Sequence, residues 1–401
     1  MSSRSATARP EFSPHELQSH VPEQTAQGDA APAPMLRITS FAAAREVLRS
    51  GDVRQAGFNA ELVARFIGRR HAPVLYQDGE MHQRQRSATA RFFAPRVVAT
   101  RYRDLMEATS RTLVARFRAA GRARLDDMSL ELAVAVAADI VGLTDSPRDR
   151  IALRLNRFFS APPGRRGTFA TVGNVVRGQL RTLSFYLFDV RPAIQARRLK
   201  PREDVISHLI GEGYSNREIL TECLTYGAAG MATTREFIVM AALRLFERDD
   251  LRARFLNADE AERMIILEEV LRLEPVVSTL KRRTASELAV ETDSGPVTIP
   301  AQTVVEIDVA AANRDEAAAG PCPHQLDPGR ARAAKVAASV ISFGDGPHRC
   351  PGGAVALQEA AIFLDQLLRV PGLRLEQLPT MTLNPVSTGY ELRNAVIVAE
   401  G

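Results

Sequence analysis

A ten-residue loop joined to a helix near the C-terminal end constrains this chain more than any other stretch. Phe343-Gly344-Asp345-Gly346-Pro347-His348-Arg349-Cys350-Pro351-Gly352 sets one cysteine among three glycines. Residues 353–368 follow with apolar side chains at helical spacing. The thiol therefore sits on a loop feeding a helix N-terminus, where free N–H groups and the helix dipole favour an anion. Glycines 344, 346 and 352 remove side chains where the backbone must turn sharply or approach something flat. A thiolate held this way can bind a metal or act as a nucleophile; the plain alternative is a buried, inert small hydrophobe.

The remainder is long and apolar enough to enclose such a loop. Of 401 residues, 45% are hydrophobic, which is ample for a large core. No run of eighteen apolar residues occurs, so no transmembrane helix is expected. The first 34 residues are polar and lack an apolar h-region, which argues against a secretory signal. Residues 1–35 are expected to be a flexible segment. Cys223, Cys322 and Cys350 give no disulfide framework, which fits a reducing cytoplasm. The net charge is +5, but Lys and Arg are spread along the chain. No nucleic-acid motif accompanies them, and a basic face for an acidic partner protein is the sharper reading.

Helical patterns are expected over residues 36–50, with Ser40 as N-cap and Gly51 just past the end, and over 97–119, 126–142 and 201–210. The stretch 52–78 is irregular. His82 and Arg86 are four apart and share one helix face. Residues 147–198 mix helical pattern with Pro162, Pro163 and Gly164. Ser215 or Asn216 begins a long helix to Glu247 that is apolar on most faces, which marks it as central and buried. Gly227 and Gly230 in its middle cost about 1 kcal/mol each relative to Ala. With Thr233 and Thr234 beside them, they point to a close ligand, a local kink or small-residue helix packing. Glu269 and Arg272 share a face on a helix ending before Pro275. Short strands are expected across 286–308, and a hairpin across 383–393.

The pattern Phe343-x-x-Gly346-x-x-x-Cys350-x-Gly352 resembles the haem-binding loop of the cytochrome P450 family. Three further stretches are similar to motifs of that family. They are His82-x-x-x-Arg86 with its Phe92-Phe93-Ala94-Pro95 ending, Ala229-Gly230-Met231-Ala232-Thr233-Thr234, and Glu269-x-x-Arg272. The resemblance covers about residues 36–400. It implies a mainly α (α+β) fold, a helical body with a smaller β region around a buried haem b, and one domain over 36–401. It makes Cys350 the axial thiolate of the haem iron, with Phe343 beside the sulfur and Gly344 in the same loop. His82, Arg86, His348 and Arg282 would reach haem propionates, with Arg283 as the alternative to Arg282. Ala229 and Gly230 would line the face where oxygen binds, and Thr233 and Thr234 would be catalytic. Residues 52–78 and 147–198 would cover the substrate.

One departure stands out. Ala232 occupies the place where the family usually carries an acid of the proton relay. Glu236, one turn on, is a geometric substitute, although an ion pair with an arginine is the better reading for it. The implied activity is a monooxygenase that hydroxylates or epoxidises a small lipophilic molecule of secondary metabolism. A thiolate ligand favours O–O cleavage. Electrons would come from a ferredoxin and its NAD(P)H-dependent reductase. A monomer in the cytoplasm is expected, with no nucleic acid or membrane partner. Ala232 opens an alternative, oxidative coupling or ring closure without oxygen insertion. A haem-binding sensor without turnover is the reading from another class.

Overall fold

Helices form where the apolar spacing and caps call for them. In the computed structural model, described for residues 35–58, 72–159, 168–292, 295–331, 335–384 and 388–399, they dominate. They are α1 (Phe41–Arg49), α2 (Gly79–Ala90), α3 (Arg103–Ala120), α4 (Leu125–Val141), α5 (Arg148–Phe159), α6 (Thr168–Phe185) and α7 (Arg191–Leu199). After these come α8 (Val205–Gly211), α9 (Asn216–Gly227), α10 (Thr233–Glu247), α11 (Asp249–Asn257), α12 (Glu260–Leu273) and α13 (Gly353–Leu368). The expected N-terminal segment 1–34 and the Pro162-Pro163-Gly164 stretch lie outside the described residues, as do residues 59–71 of the irregular 52–78 region.

Several boundaries differ from the sequence expectation for local reasons. Residues 35–38 form a strand, so α1 begins at Phe41. Ser40 holds the N-cap position without a side-chain bond, and Asp315 accepts the Phe41 N–H at 2.7 Å instead. The helix expected from Pro201 starts at Val205, because Asp204 caps it by accepting from Ser207 N at 2.8 Å. Ser215, not Asn216, caps α9 in a reciprocal capping box with Glu218. Asp259 caps α12 by accepting from Glu262 N at 2.8 Å.

The helical body buries one large core. α4 is apolar almost all round and packs against α10 and α3, while α13 packs against α3, α12 and α10. A smaller core lies between α1 and the strands, through Ile38, Val47, Leu48, Val305 and Ile307. Its sheet runs β1 (Met35–Ile38), β7 (Val304–Asp308), β4 (Thr279–Thr284), β2 (Val53–Gln55), with only the β1–β7 pair parallel. The strands expected over 286–308 are β5 (Leu288–Thr292), β6 (Gly295–Ile299) and β7. The C-terminal hairpin pairs β9 (Thr380–Asn384) with β10 (Gly389–Arg393). The cysteine loop spans the junction of the two cores, between α1 and α13.

Candidate functional site

The cysteine loop is held by backbone bonds and by α1. Cys350 N donates to Phe343 O at 2.8 Å, and Gly344 N to Ile341 O at 2.8 Å. Asp345 accepts from Arg45 Nε and Arg49 Nε, both at 3.0 Å, across some 300 residues of chain. Gly346 has φ +66°, and a Cβ there would run into the Leu48 carbonyl, at 2.9 Å from its carbon. Only glycine allows this approach. The Phe343 ring lies 3.4 Å from where a Cβ on Gly353 would be, so the glycine at the start of α13 lets the ring pack under the loop.

Cys350 is exposed, whereas Cys223 is buried. Packing of the loop pushes its thiol pKa up. The N–H groups of Gly352 and Gly353 and the charges of Arg86 and Arg349 oppose that rise. Two amides at a helix N-terminus face the Cys350 sulfur, which sets this exposed residue apart from the core cysteine Cys223.

Cations converge beside it. His82 and Arg86 lie on α2; His82 is 4% exposed, and the Arg86 guanidinium donates to Arg349 O at 2.5 Å. The His82 and His348 rings meet at a tilt of 31° with centroids 4.1 Å apart. His348 Nε2 is 3.1 Å from Asp78 Oδ1. Arg282 points inward from β4, is 3% exposed and reaches Gln55, while Arg283 points outward and donates to Gln302 O at 2.7 Å. Strand alternation thus separates the two arginines and favours Arg282.

The electrostatics of this group are unbalanced. Burial, then the positive charges of His348, Arg86 and Arg282, pull His82 down to about 4, with Asp78 opposing. Burial pulls the Arg282 guanidinium down to about 10. Burial pushes Asp78 up, yet the hydrogen bond and charge of His348 bring it below the ordinary carboxylate value. A buried imidazole and a buried guanidinium held below their ordinary values, the imidazole with cations around it, fit a site completed by a dianion. The donor set, one soft thiolate plus imidazoles and guanidiniums, suits an iron porphyrin with two propionates. Among the described residues no cluster of three metal-ligating side chains competes with it.

The long helix is broken where its motif predicts a feature. Residues Ala228–Ala232 form a π-turn between α9 and α10, which re-aims the side chains around it. Ala229 is exposed there, and the Thr233 hydroxyl donates to Ala229 O. The two glycines serve packing: a Cβ on Gly227 would sit 3.4 Å from Leu155, and one on Gly230 would sit 3.7 Å from Ala137 of α4. Thr234 is buried on the other side. Tyr226 links this helix to α2, since it stacks on Phe93 at 5.7 Å and interacts with Arg86. Glu236 is occupied: it accepts from Leu392 N and Arg393 at 2.7 Å each and from Arg235 at 2.8 Å. The ion-pair reading holds, and Glu236 is not a free acid in place of Ala232.

Glu269 and Arg272 form a fully buried pair at 2.8 Å, and Arg330 joins them at 2.8 Å from Glu269. Arg330, Asp78 and Asp345 are residues that sequence reasoning missed as site supports. Asp78, just before α2, carried a signal as an N-cap type residue; the partners of Arg330 and Asp345 are too distant in sequence to be read.

A thiol at a helix N-terminus, a cationic cradle and a long helix opened by a π-turn are chemically suited to an anionic prosthetic group whose metal takes a sulfur ligand. Comparison with known proteins agrees. The family model described as Cytochrome P450 matches residues 264–381. Cyclomarin C epoxidase CymV of Salinispora arenicola is 27% identical over 72% of this chain and 71% of its own length. Cytochrome P450 107B1 of Saccharopolyspora erythraea is 28% identical over 76% of this chain and 72% of its own. The solved structure of the versatile cytochrome P450 enzyme CYP109B1 from Bacillus subtilis superposes with a TM-score of 0.73 at 22% identity, covering 90% of this chain and 92% of that one. The family-model match, the curated relatives and the solved structures together support a bacterial-type cytochrome P450, and the fold is the P450 fold. The chain is an oxidoreductase of the monooxygenase type, and the family implies a haem cofactor. Among the described residues no helix is long and apolar enough to cross a membrane.

Proposed function

We propose that this chain binds haem b through Cys350 and oxidises a small lipophilic molecule of secondary metabolism, by hydroxylation or epoxidation. The observation that carries this reading is Cys350 on its exposed loop, with its sulfur set against two backbone amides beside His82, Arg86 and His348. Haem bound there supplies reductive activation of O₂ and attack on an unactivated C–H or C=C bond. His82, Arg86, His348 and Arg282 hold the propionates through charge-assisted bonds. Phe343 packs under the cysteine loop, and Gly344 lets it turn. Ala229 and Gly230 keep the π-turn slim on the distal side. The Thr233 hydroxyl orients water and passes protons from the pocket, joined by Thr234. Electrons come from a ferredoxin and its NAD(P)H-dependent reductase, for which Arg-rich surface is the complement. The chain acts as a cytoplasmic monomer. CymV, a related protein, is an epoxidase acting on cyclomarin C, which supports a secondary metabolite as substrate class.

A second reading has its own observation. Ala232 contributes no acid, and Glu236 is tied up by Leu392 and Arg393. Oxidative coupling takes two hydrogens from the substrate and releases both atoms of O₂ as water; it needs the same two protons, which an acidic group of the substrate over the π-turn can supply where residue 232 has none. Turnover under ¹⁸O₂ with ferredoxin, reductase and NADPH separates the two. Monooxygenation puts one labelled oxygen into the product; coupling puts in none. A product carrying oxygen from labelled water alone would contradict both.

A further inference from the structure

The buried face of α2 is polar. Its buried residues are His82, Gln85 and Thr89, and none of them is apolar. The helix that carries His82 and Arg86 is therefore held to the body by directional bonds rather than by an apolar stripe. Those bonds lead to α9. Thr89 hydrogen-bonds Tyr226, whose ring stacks on Phe93. One turn earlier on α9, Glu222 Oε1 accepts from the Gln85 amide and from Val74 N, the latter at 3.0 Å. Val74 opens the short turn Val74–Tyr76 ahead of Asp78. Glu222 thus joins the central helix, that turn and α2 at one point.

Two oxygens are left over at this junction. Among the described residues, neither Glu222 Oε2 nor Gln85 Oε1 has a hydrogen-bond partner, although Glu222 is 1% and Gln85 8% exposed. They belong to two planar groups already joined through Oε1 and Nε2. With Glu222 ionised, both would be acceptors shut away from water without a donor, which is costly twice over. A single proton on Glu222 Oε2 satisfies both, because the O–H donates to Gln85 Oε1 and closes a ring of two parallel bonds. The surroundings favour the neutral acid. Burial raises Glu222 to about 7, the bonds from Val74 and Gln85 oppose, and no charged side chain contributes. Burial raises its neighbours Cys223, Tyr214 and Tyr226 as well, and His82 is pulled down to about 4, so none of these four supplies a cation to hold a carboxylate.

We infer that Glu222 and Gln85 form a cyclic pair of neutral acid and amide, and that Glu222 is a positioning residue that sets α2, and through it His82 and Arg86, against the central helix. The proton stays on Glu222; no bond to substrate or cofactor is made or broken. The positioning role rests on the reading of His82 and Arg86 as propionate ligands.

The test uses the full chain with its haem at pH 6, where about nine-tenths of Glu222 carries the proton. Four proteins are compared: wild type, Glu222→Gln, Gln85→Leu and the swap Glu222→Gln/Gln85→Glu. The infrared difference between wild type and Glu222→Gln should show a protonated carboxyl band, and the swap should regain one. Haem release to excess apomyoglobin should be about tenfold faster in Gln85→Leu, which breaks the ring. Glu222→Gln closes it with two amides and the swap closes it with the roles reversed, so both should release haem within about twofold of wild type. Rescue by the swap is what a merely structural role for either residue would not produce. A missing carboxyl band, wild-type release from Gln85→Leu, or a swap that releases haem as fast as Gln85→Leu would overturn the inference. The carbon monoxide spectrum of the wild type scores the haem-thiolate reading separately, because the infrared band arises from Glu222 whether or not that spectrum appears.

Discussion

Replacing Gly346 by alanine measures how tightly the cysteine loop is pinned to α1. The residue has φ +66°, which costs an L-residue about 1–2 kcal/mol. The new Cβ would also press into the Leu48 carbonyl, 2.9 Å from its carbon and 3.1 Å from Arg49 Cα. These are backbone atoms of a helix, so relief requires the loop or α1 to move. Overpacking of this kind adds about 1–3 kcal/mol. Together the cost is about 2–5 kcal/mol, a large share of the ~5–15 kcal/mol that holds a protein folded. Gly213 provides the control, since its φ is +78° and nothing lies within 4 Å of an added Cβ. Gly213→Ala should therefore cost the conformational part alone, about 1–2 kcal/mol. Urea midpoints of the two variants give the stability difference, and the ratio of haem to protein absorbance gives loop integrity. Gly346→Ala should unfold at clearly lower urea and lose haem, whereas Gly213→Ala should keep it. Equal midpoints and equal haem content would refute the argument that close backbone approach fixes the loop.

Other consequences follow from buried charge and from the π-turn. Glu269→Ala leaves Arg272 and Arg330 without their buried partner; it should cost about 3–5 kcal/mol, read as loss of soluble folded protein or a sharply lower thermal midpoint. Thr233→Val should keep the haem spectrum yet slow product formation by about 10² while NADPH is diverted to hydrogen peroxide, as measured by product and peroxide assays side by side. Glu222 is buried, and burial raises its carboxyl from 4.5 to about 7, although it accepts from Val74 N at 3.0 Å and from Gln85. A raised carboxyl pKa means that the folded chain keeps a proton which the unfolded chain has released. Stability therefore falls as pH rises from 4.5 to about 7 and then levels. Glu222→Gln should be more stable than wild type at pH 8, on the order of 3 kcal/mol, and equal to it near pH 4.5, by urea titration at each pH.

Much of this was legible from residue pattern. The Cys350 loop, the His82/Arg86 helix, the Glu269/Arg272 pair and the strands over 286–308 were each visible because spacing encodes which side chains share a face. The π-turn was not, since it is a backbone register change with no side-chain signature of its own; Gly227, Gly230 and the threonines hinted at a break without saying which kind. The choice between Arg282 and Arg283 also needed the structure. A period of two shows that they face opposite ways, but only the pairing of β4 with β7 and β2 sets the phase. Gln302, in the turn before β7, adopts φ +63°, a left-handed conformation that its residue type did not announce. Asp345 to Arg45 and Arg49, and Arg330 to Glu269, join positions far apart in the chain, and single residues give no sign of such pairs. The helix expected from Pro201 was misplaced although Asp204, just before an apolar run, was a readable cap.

The most direct test of the account is the difference spectrum of the reduced protein with carbon monoxide, for wild type and Cys350→Ala. The account predicts a Soret band at the red-shifted position of thiolate ligation in the wild type and its loss in Cys350→Ala. A protein that takes up no haem, or one whose spectrum is histidine-ligated and indifferent to Cys350→Ala, would contradict the assignment of Cys350 and the function built on it.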